Sequence, residues 1–364
     1  MTAVTATPTL VILVMLAACS PASPARGAAS PAPVAHAPLP VACRLPVIVP
    51  ISTPEQRSQG IDPTTYQAGF VTFPAGQLTA DPQGGFTFDS NSVSWISVAQ
   101  PVLHGTSRIG YYDRAFHRWL PAGPTQVSPD ESRYAYVDAV QGGLYSSGRI
   151  HVVDVATGRD RTLDVPISPY RIFEFGQDGI YVNNYGGLGR AGLWLIDPDS
   201  GAIRQLFNDG WVEAVRDGAA WVAASAQDHH PTSNMPGGDA GPPSPPVISL
   251  LMRRDLTSGS TETWLNRPGT NLYVQGIYGP PFLVWVNSPG SDEYVLLSGP
   301  GSALDLNFSG DPLKNPWTLT AVRGLGFVDQ HGIWLGGDAI YLYTSQTGLR
   351  QVAAVPGYPS NTCA

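Results

Sequence analysis

Apolar and polar positions alternate in short bursts along this chain, and six of those bursts carry an aromatic residue in one register. They are Ser94-Trp95-Ile96, Ala135-Tyr136-Val137, Ile180-Tyr181-Val182, Ala220-Trp221-Val222, Val284-Trp285-Val286 and Ile333-Trp334-Leu335, with the aromatics 41, 45, 40, 64 and 49 residues apart. A period of about 40–45 residues built from short strands is the spacing of propeller blades. A second strand follows most of them, as in Arg149–Asp154, Gly192–Asp197, Leu250–Asp255 and Ile340–Thr344. Each of these runs into a turn with Gly four positions after its first residue: Asp154 to Gly158, Asp197 to Gly201, Asp255 to Gly259 and Thr344 to Gly348. The leading Asp or Thr can accept from the turn backbone, and Gly supplies the positive φ, so these are hairpins. The oxygen-ligand spacing of a calcium loop is missing from them.

A last alternating strand follows each turn, and another precedes each aromatic strand, as in Ile172-Phe173-Glu174-Phe175 before Asp178-Gly179. Each unit therefore has four strands. The expected fold is all-β, a single propeller of six four-stranded blades, with seven as the alternative. Blade one is expected to hold Trp95 and the strand Arg108–Asp113. The hairpin formed by 69–73 and 77–79 stands outside that count, as a partial blade or a strand that closes the ring. The aromatics, at one per blade, are expected to be packing anchors.

Val127-Ser128-Pro129-Asp130-Glu131 leads into the strand of Tyr136 and resembles the Ser-Pro-Asp-Gly motif of TolB-type and YVTN-like bacterial β-propellers, with Glu131 where the motif has Gly. The wider likeness is the blade rhythm from about 86 to 355. It implies a propeller; because such propellers serve as scaffolds, receptors and, less often, enzymes, it implies no one activity.

Residues 1–18 read as a signal peptide whose apolar run ends in Leu16-Ala17-Ala18-Cys19, which resembles a bacterial lipobox with Cys19 as the lipidated residue. No Lys or Arg precedes that run, and ordinary secretion stays open as the alternative. Residues 19–42 are dominated by Pro, Ala and Ser, which suits an extended, disordered tether. The propeller then occupies 43–364, with an inserted loop at 225–246. Cys43 and Cys363 are the two remaining cysteines, and an oxidising compartment would let them tie the two ends of the ring together.

The net charge of -8, with Lys314 as the one lysine, excludes a phosphate-backbone partner and leaves a protein, peptide or glycan. Membrane contact is expected only through the N-terminal lipid, and the protein is expected to be a monomer without a cofactor. Candidate ligand-face residues are those on the connections between second and third strands. They are His104, Tyr145, Asn183, Asn184, Tyr185, Arg190, Asp228, His229, His230, Asp292 and Glu293. Asp228, His229 and His230 with Asp239 also invite a metal reading, although adjacent histidines in an extended chain diverge. No Gly-x-Ser-x-Gly elbow is present, and Asp292-Glu293 is adjacent rather than set across a cleft, so no residue is assigned a catalytic role. The leading expectation is an envelope-tethered binding module. The alternatives are a metal-assisted hydrolase or lyase using His229, His230 or His104, and a structural subunit of an envelope complex.

Overall fold

The computed structural model describes residues 41–51, 65–88, 93–95, 103–107, 110–139, 148–167, 169–184, 192–208, 211–224, 249–268, 273–278, 283–287, 293–307, 326–337, 339–344 and 346–364. The strands fall in chain order. They begin with β1 (Arg44–Ile51), β2 (Thr65–Thr72), β3 (Gln77–Phe88), β4 (Val93–Trp95), β5 (Leu103–Gly105) and the hairpin β6 (Tyr111–Asp113) with β7 (Arg118–Leu120). Next come β8 (Arg133–Ala139), β9 (Gly148–Asp154) and β10 (Asp160–Leu163), then β11 (Pro169–Gly176), β12 (Gly179–Asn184), β13 (Leu193–Ile196) and β14 (Ile203–Phe207). A third group is β15 (Trp211–Arg216), β16 (Ala219–Ala224), β17 (Leu250–Asp255) and β18 (Thr261–Asn266), and a fourth β19 (Tyr273–Tyr278), β20 (Leu283–Asn287), β21 (Glu293–Gly299) and β22 (Ser302–Asn307). The chain finishes with β23 (Phe327–Asp329), β24 (Gly332–Leu335), β25 (Ile340–Thr344), β26 (Gly348–Ala353) and the short β27 (Tyr358–Pro359).

The fold is all-β and a single β-propeller. Four blades are antiparallel sheets in simple order, β11 to β14, β15 to β18, β19 to β22 and β23 to β26. The first blade is β8-β9-β10, its inner place taken by a bridge from Val127 to Tyr134. This makes five blades, a correction to the expected six. The N-terminal strands instead build a six-stranded sheet in the order β27-β1-β2-β3-β4-β5. Trp95 pairs there with Leu103, and Tyr111–Asp113 pairs with β7 in a separate hairpin. The extra strand β5 intervenes between the two segments assigned to blade one, and hairpin pairing to the nearest partner takes precedence over residue count.

The period of two along β1 and β2 shows how this sheet fills the sixth place. Ile48 and Phe70 point to the core shared with Tyr134, Tyr136 and Val153 of the first blade. Leu45, Val47 and Val71 point to the core shared with Trp334, Ile340 and Leu342 of the fifth. Between blades the same layering recurs: Ile150 and Val152 meet Ile172 and Phe175, Tyr181 and Leu195 meet Val212 and Val222, and Trp221 meets Ile277 and Leu297. Trp221 and Trp334 are fully buried, which is the packing role expected of the blade aromatics.

The predicted hairpin turns form as the sequence implies. Asp154 Oδ1 accepts from Thr157 N at 2.7 Å, Asp197 Oδ1 from Ser200 N at 2.6 Å and Asp255 Oδ1 from Ser258 N at 2.7 Å. Gly158, Gly201 and Gly259 take φ of 72, 74 and 73°. Closure is covalent as well: Cys43 and Cys363 form a disulfide with Cα atoms 5.6 Å apart. Around it Arg44 N donates to Ala364 O at 2.7 Å and Ser360 N to Pro46 O at 2.9 Å, while Asp329 Oδ2 accepts from Trp334 Nε1 at 2.8 Å and Cys363 N at 2.9 Å.

Candidate functional site

A cavity of about 410 Å³ lies where the strand-one-to-strand-two turns of the first three blades converge, walled by Tyr111 of the β6–β7 hairpin. Four carboxylates line it, Glu131, Glu174, Asp178 and Asp217, against one guanidinium, Arg216. The aromatic surface comes from Tyr111, Phe175 and Tyr181.

Glu174 owes its place to a β-bulge. In β11 the register slips between Ile172 and Glu174, which brings Glu174 opposite the blade aromatic Tyr181. The same slip recurs in the next two blades, where Ala214 faces Trp221 and Gly276 faces Trp285. A carboxylate thus occupies a position that the next two blades fill with a methyl group or nothing. Glu174 is 7% exposed, and its Oε1 accepts from Arg216 Nη1 and Asp217 N, both at 3.4 Å. Burial pushes its pKa up, and the Arg216 charge opposes that shift.

Glu131 is held in the left-handed region at φ 57°, and Asp217 beside it in the cavity at φ 47°. The Ser128 turn imposes the first of these. Ser128 Oγ donates to Asp130 Oδ1 at 2.6 Å, Glu131 N donates to Ser128 O at 2.8 Å, and Asp130 accepts from Ser132 N at 3.1 Å. Those donors, Ser128 first, bring the Asp130 pKa down to about 2. A side chain at a position that favours Gly costs of the order of 1 kcal/mol, and here that side chain is used. Tyr111 Oη donates to Glu131 Oε1 at 2.7 Å and Ala115 N to Oε2 at 3.4 Å.

Behind this wall Asp113 is fully buried. Its Oδ1 accepts from Phe116 N at 3.0 Å, and its Oδ2 has no hydrogen-bond partner. Burial, and then the neighbouring Glu131, push its pKa up to about 6 despite the Phe116 N–H. On the other wall Tyr181 Oη donates to Asp178 Oδ2 at 3.3 Å, and burial leads the rise of its pKa to about 12.

A second hollow of about 350 Å³ gathers Arg133, Arg159 and Arg161 between the first two blades. Two of its guanidiniums are already engaged: Arg133 Nη1 lies 2.8 Å from Asp199 Oδ1, and Arg161 Nη1 donates to Asp199 O at 2.6 Å. His151 stacks on Tyr136 with Asp160 hydrogen-bonded at Nδ1, 2.9 Å away, while its buried Nε2 lies 3.3 Å from Asp138 Oδ2 without a hydrogen bond. These carboxylates sit on opposite edges of the ring and do not converge on one point. Among the described residues no group of three or more His, Cys, Asp or Glu side chains is arranged to hold a metal ion.

Of the residues named from sequence, His104 is exposed on β5, and its carbonyl accepts from Tyr134 Oη at 2.7 Å. Asn183 is buried, with Oδ1 accepting from Arg171 N at 2.8 Å. Asn184 and Glu293 lie at strand ends, β12 and β21. Tyr145, Tyr185, Arg190, Asp228, His229, His230, Asp239 and Asp292 lie outside the described residues, as does Cys19. The cavity sits at the other end of the strands, at the turns that carry Asp178 and Asp217. Setting each first strand against its aromatic partner would have exposed Glu174 as the outlier.

No protein-family model matches the chain, and no curated protein matches it. Solved structures similar to it include a nidogen/laminin complex, at 11% identity over 88% of this chain and 100% of that one, with a TM-score of 0.41. A catalytically inactive virginiamycin B lyase from Staphylococcus aureus with quinupristin shows 13% identity over 89% of this chain and 87% of that one, at 0.42. BamB from Moraxella catarrhalis shows 12% over 77% and 88%, at 0.38. The class of protein therefore rests on the sheet topology itself, a five-bladed β-propeller closed by a sixth, larger sheet.

Proposed function

We propose that this protein is an extracytoplasmic binding module whose cavity takes a cationic side chain, arginine or lysine, presented by a protein or peptide partner. The observation that carries this reading is Glu174, a buried carboxylate placed where the next two blades have Ala or Gly, in a cavity with four acids and one guanidinium. Buried carboxylates favour a bidentate guanidinium, and the tyrosine walls offer ring faces to a cation. The disulfide supports an oxidising location, and the Leu16–Cys19 segment supports a lipid tether there. Among the described residues no helix is long and apolar enough to cross a membrane.

Titration calorimetry with a tetra-arginine amide, and with a tetraglutamate peptide as control, tests the site. The basic peptide should bind and the acidic one should not. Glu174→Gln combined with Asp217→Asn should weaken binding about 10- to 100-fold, the scale of one or two charge-assisted bonds. Undiminished affinity in that variant overturns the reading.

A further inference from the structure

The acid cavity and the arginine hollow share a wall. Both lie at the same end of the propeller, because the turn before β8 and the turn after β9 run side by side: Arg133 pairs with Asp154, and Val155 N donates to Ser132 O at 2.9 Å. Glu131 lines the cavity and Arg133 the hollow, two residues and at most about 7 Å of chain apart. Across the divide the Arg133 guanidinium lies 5.6 Å from the centre of the Phe175 ring, and Phe175 lines the cavity.

The hollow keeps a positive excess in a chain whose net charge is -8, with Arg133, Arg159 and Arg161 set against Asp154 and Asp199. Asp154 serves its own turn, where Oδ1 accepts from Thr157 N at 2.7 Å and from Thr157 Oγ1 at 2.6 Å. Arg161 is positioned by the carbonyls of Pro198 and Asp199, which accept from it without cancelling its charge. The Asp199 carboxylate lies 2.8 Å from Arg133 and 3.8 Å from Arg161, but its side chain is 75% exposed. That is a surface ion pair, worth little, which an incoming carboxylate can share or displace. Arg159 completes the set. Its backbone is pinned, N donating to Thr157 Oγ1 at 3.2 Å and O accepting from Asp154 N at 3.0 Å, while its guanidinium is exposed and has no partner among the described residues.

We propose that cavity and hollow are the two halves of one bipolar groove, and that the partner segment carries an acidic side chain a few residues from its basic one. The cation enters among Glu131, Glu174, Asp178 and Asp217, and the carboxylate binds Arg159 beside Arg133. This rests on the binding reading above and adds a direction to it. Reversing the segment would set its carboxylate among four acids and its cation among three guanidiniums, so like-charge repulsion selects one orientation. A wholly acidic segment gains nothing from the hollow, because the rest of it must lie along the acid cavity.

Titration calorimetry on the intact propeller tests the pairing with end-blocked peptides in which one, two or three glycines separate an arginine from either a glutamate or a glutamine. In at least one of the three pairs the glutamate peptide should bind about fivefold tighter than its glutamine counterpart, the scale of one exposed ion pair. In Arg159→Gln, whose side chain holds no described bond, the two members of that pair should bind within about twofold of each other. No gain at any spacing, or a gain that Arg159→Gln keeps, overturns the bipolar groove. Should the glutamine peptides bind the wild type and weaken in the Glu174→Gln, Asp217→Asn variant while glutamate adds nothing, the cavity reading stands and the pairing alone falls. If none of the peptides binds, both fall.

Discussion

Two populations of carboxylate share one end of this propeller and behave in opposite ways. Asp130, Asp154, Asp197 and Asp255 sit in solvent-facing turns and each accepts from neighbouring Ser or Thr groups, Ser128 first for Asp130, which draws every one of their pKa values down. Asp113 and Glu174 lie in the interior with few donors, and burial pushes theirs up. The ionising group is a carboxyl in both; what differs is the supply of N–H and O–H groups. A carboxylate that the backbone satisfies is a turn residue, whereas one left under-satisfied at the cost of stability is a candidate for binding chemistry.

The sharpest way to break this comparison is the pH dependence of stability. For Asp113 the folded state holds its proton more tightly than the unfolded chain does, so unfolding releases a proton between pH 3.8 and about 6. Stability from this group is full below that window and is lost as pH rises through it, by about 3 kcal/mol. The turn aspartates act with the other sign, below pH 3.8, where stability is lost as pH falls. Denaturant melts from about pH 3 to about pH 8 should therefore show the wild type losing stability above pH 4 relative to Asp113→Asn. Parallel profiles would mean that Asp113 is as well satisfied as its turn counterparts. A smaller effect is expected from Glu131→Gly. Relief of the left-handed strain is worth about 1 kcal/mol, and loss of the Tyr111 bond to a charged acceptor costs about 1.5–3 kcal/mol. The net is a loss of about 1 kcal/mol; a gain in melting temperature would show that the Tyr111 bond contributes little. The smallest change is expected for Asp154→Ala, an exposed turn position, with a loss under about 1 kcal/mol and no effect on tetra-arginine binding. A tenfold loss of binding there would erase the distinction between the two populations.

Much of the fold was legible because it repeats. Tyr136, Tyr181, Trp221, Trp285 and Trp334 each mark the second strand of a blade, and the Asp-to-Gly turns form where their spacing puts them. Trp95 misled, since the same short aromatic strand serves in the N-terminal sheet, and a local pattern carries no information on which distant strand becomes its neighbour. That sheet is decided by β27, more than 300 residues away along the chain from β1. The cavity was hidden for a different reason. Glu174 stands in an alternating strand where a polar residue reads as solvent-facing, and only the bulge after Ile172 turns it inward. Glu131 was visible as a departure from the Gly of a turn motif, but a departure alone does not say that Tyr111, from a separate hairpin, is waiting for it.

The disulfide has a mechanical consequence. Any load delivered along the segment that precedes Cys43 enters the ring at a point covalently bound to its last residues, Cα to Cα across 5.6 Å. Tension between those two points runs through sulfur and bypasses the sheets, so the short β1–β27 seam, a ladder of two residue pairs, bears almost none of it. A pull between those two points therefore leaves that seam unloaded.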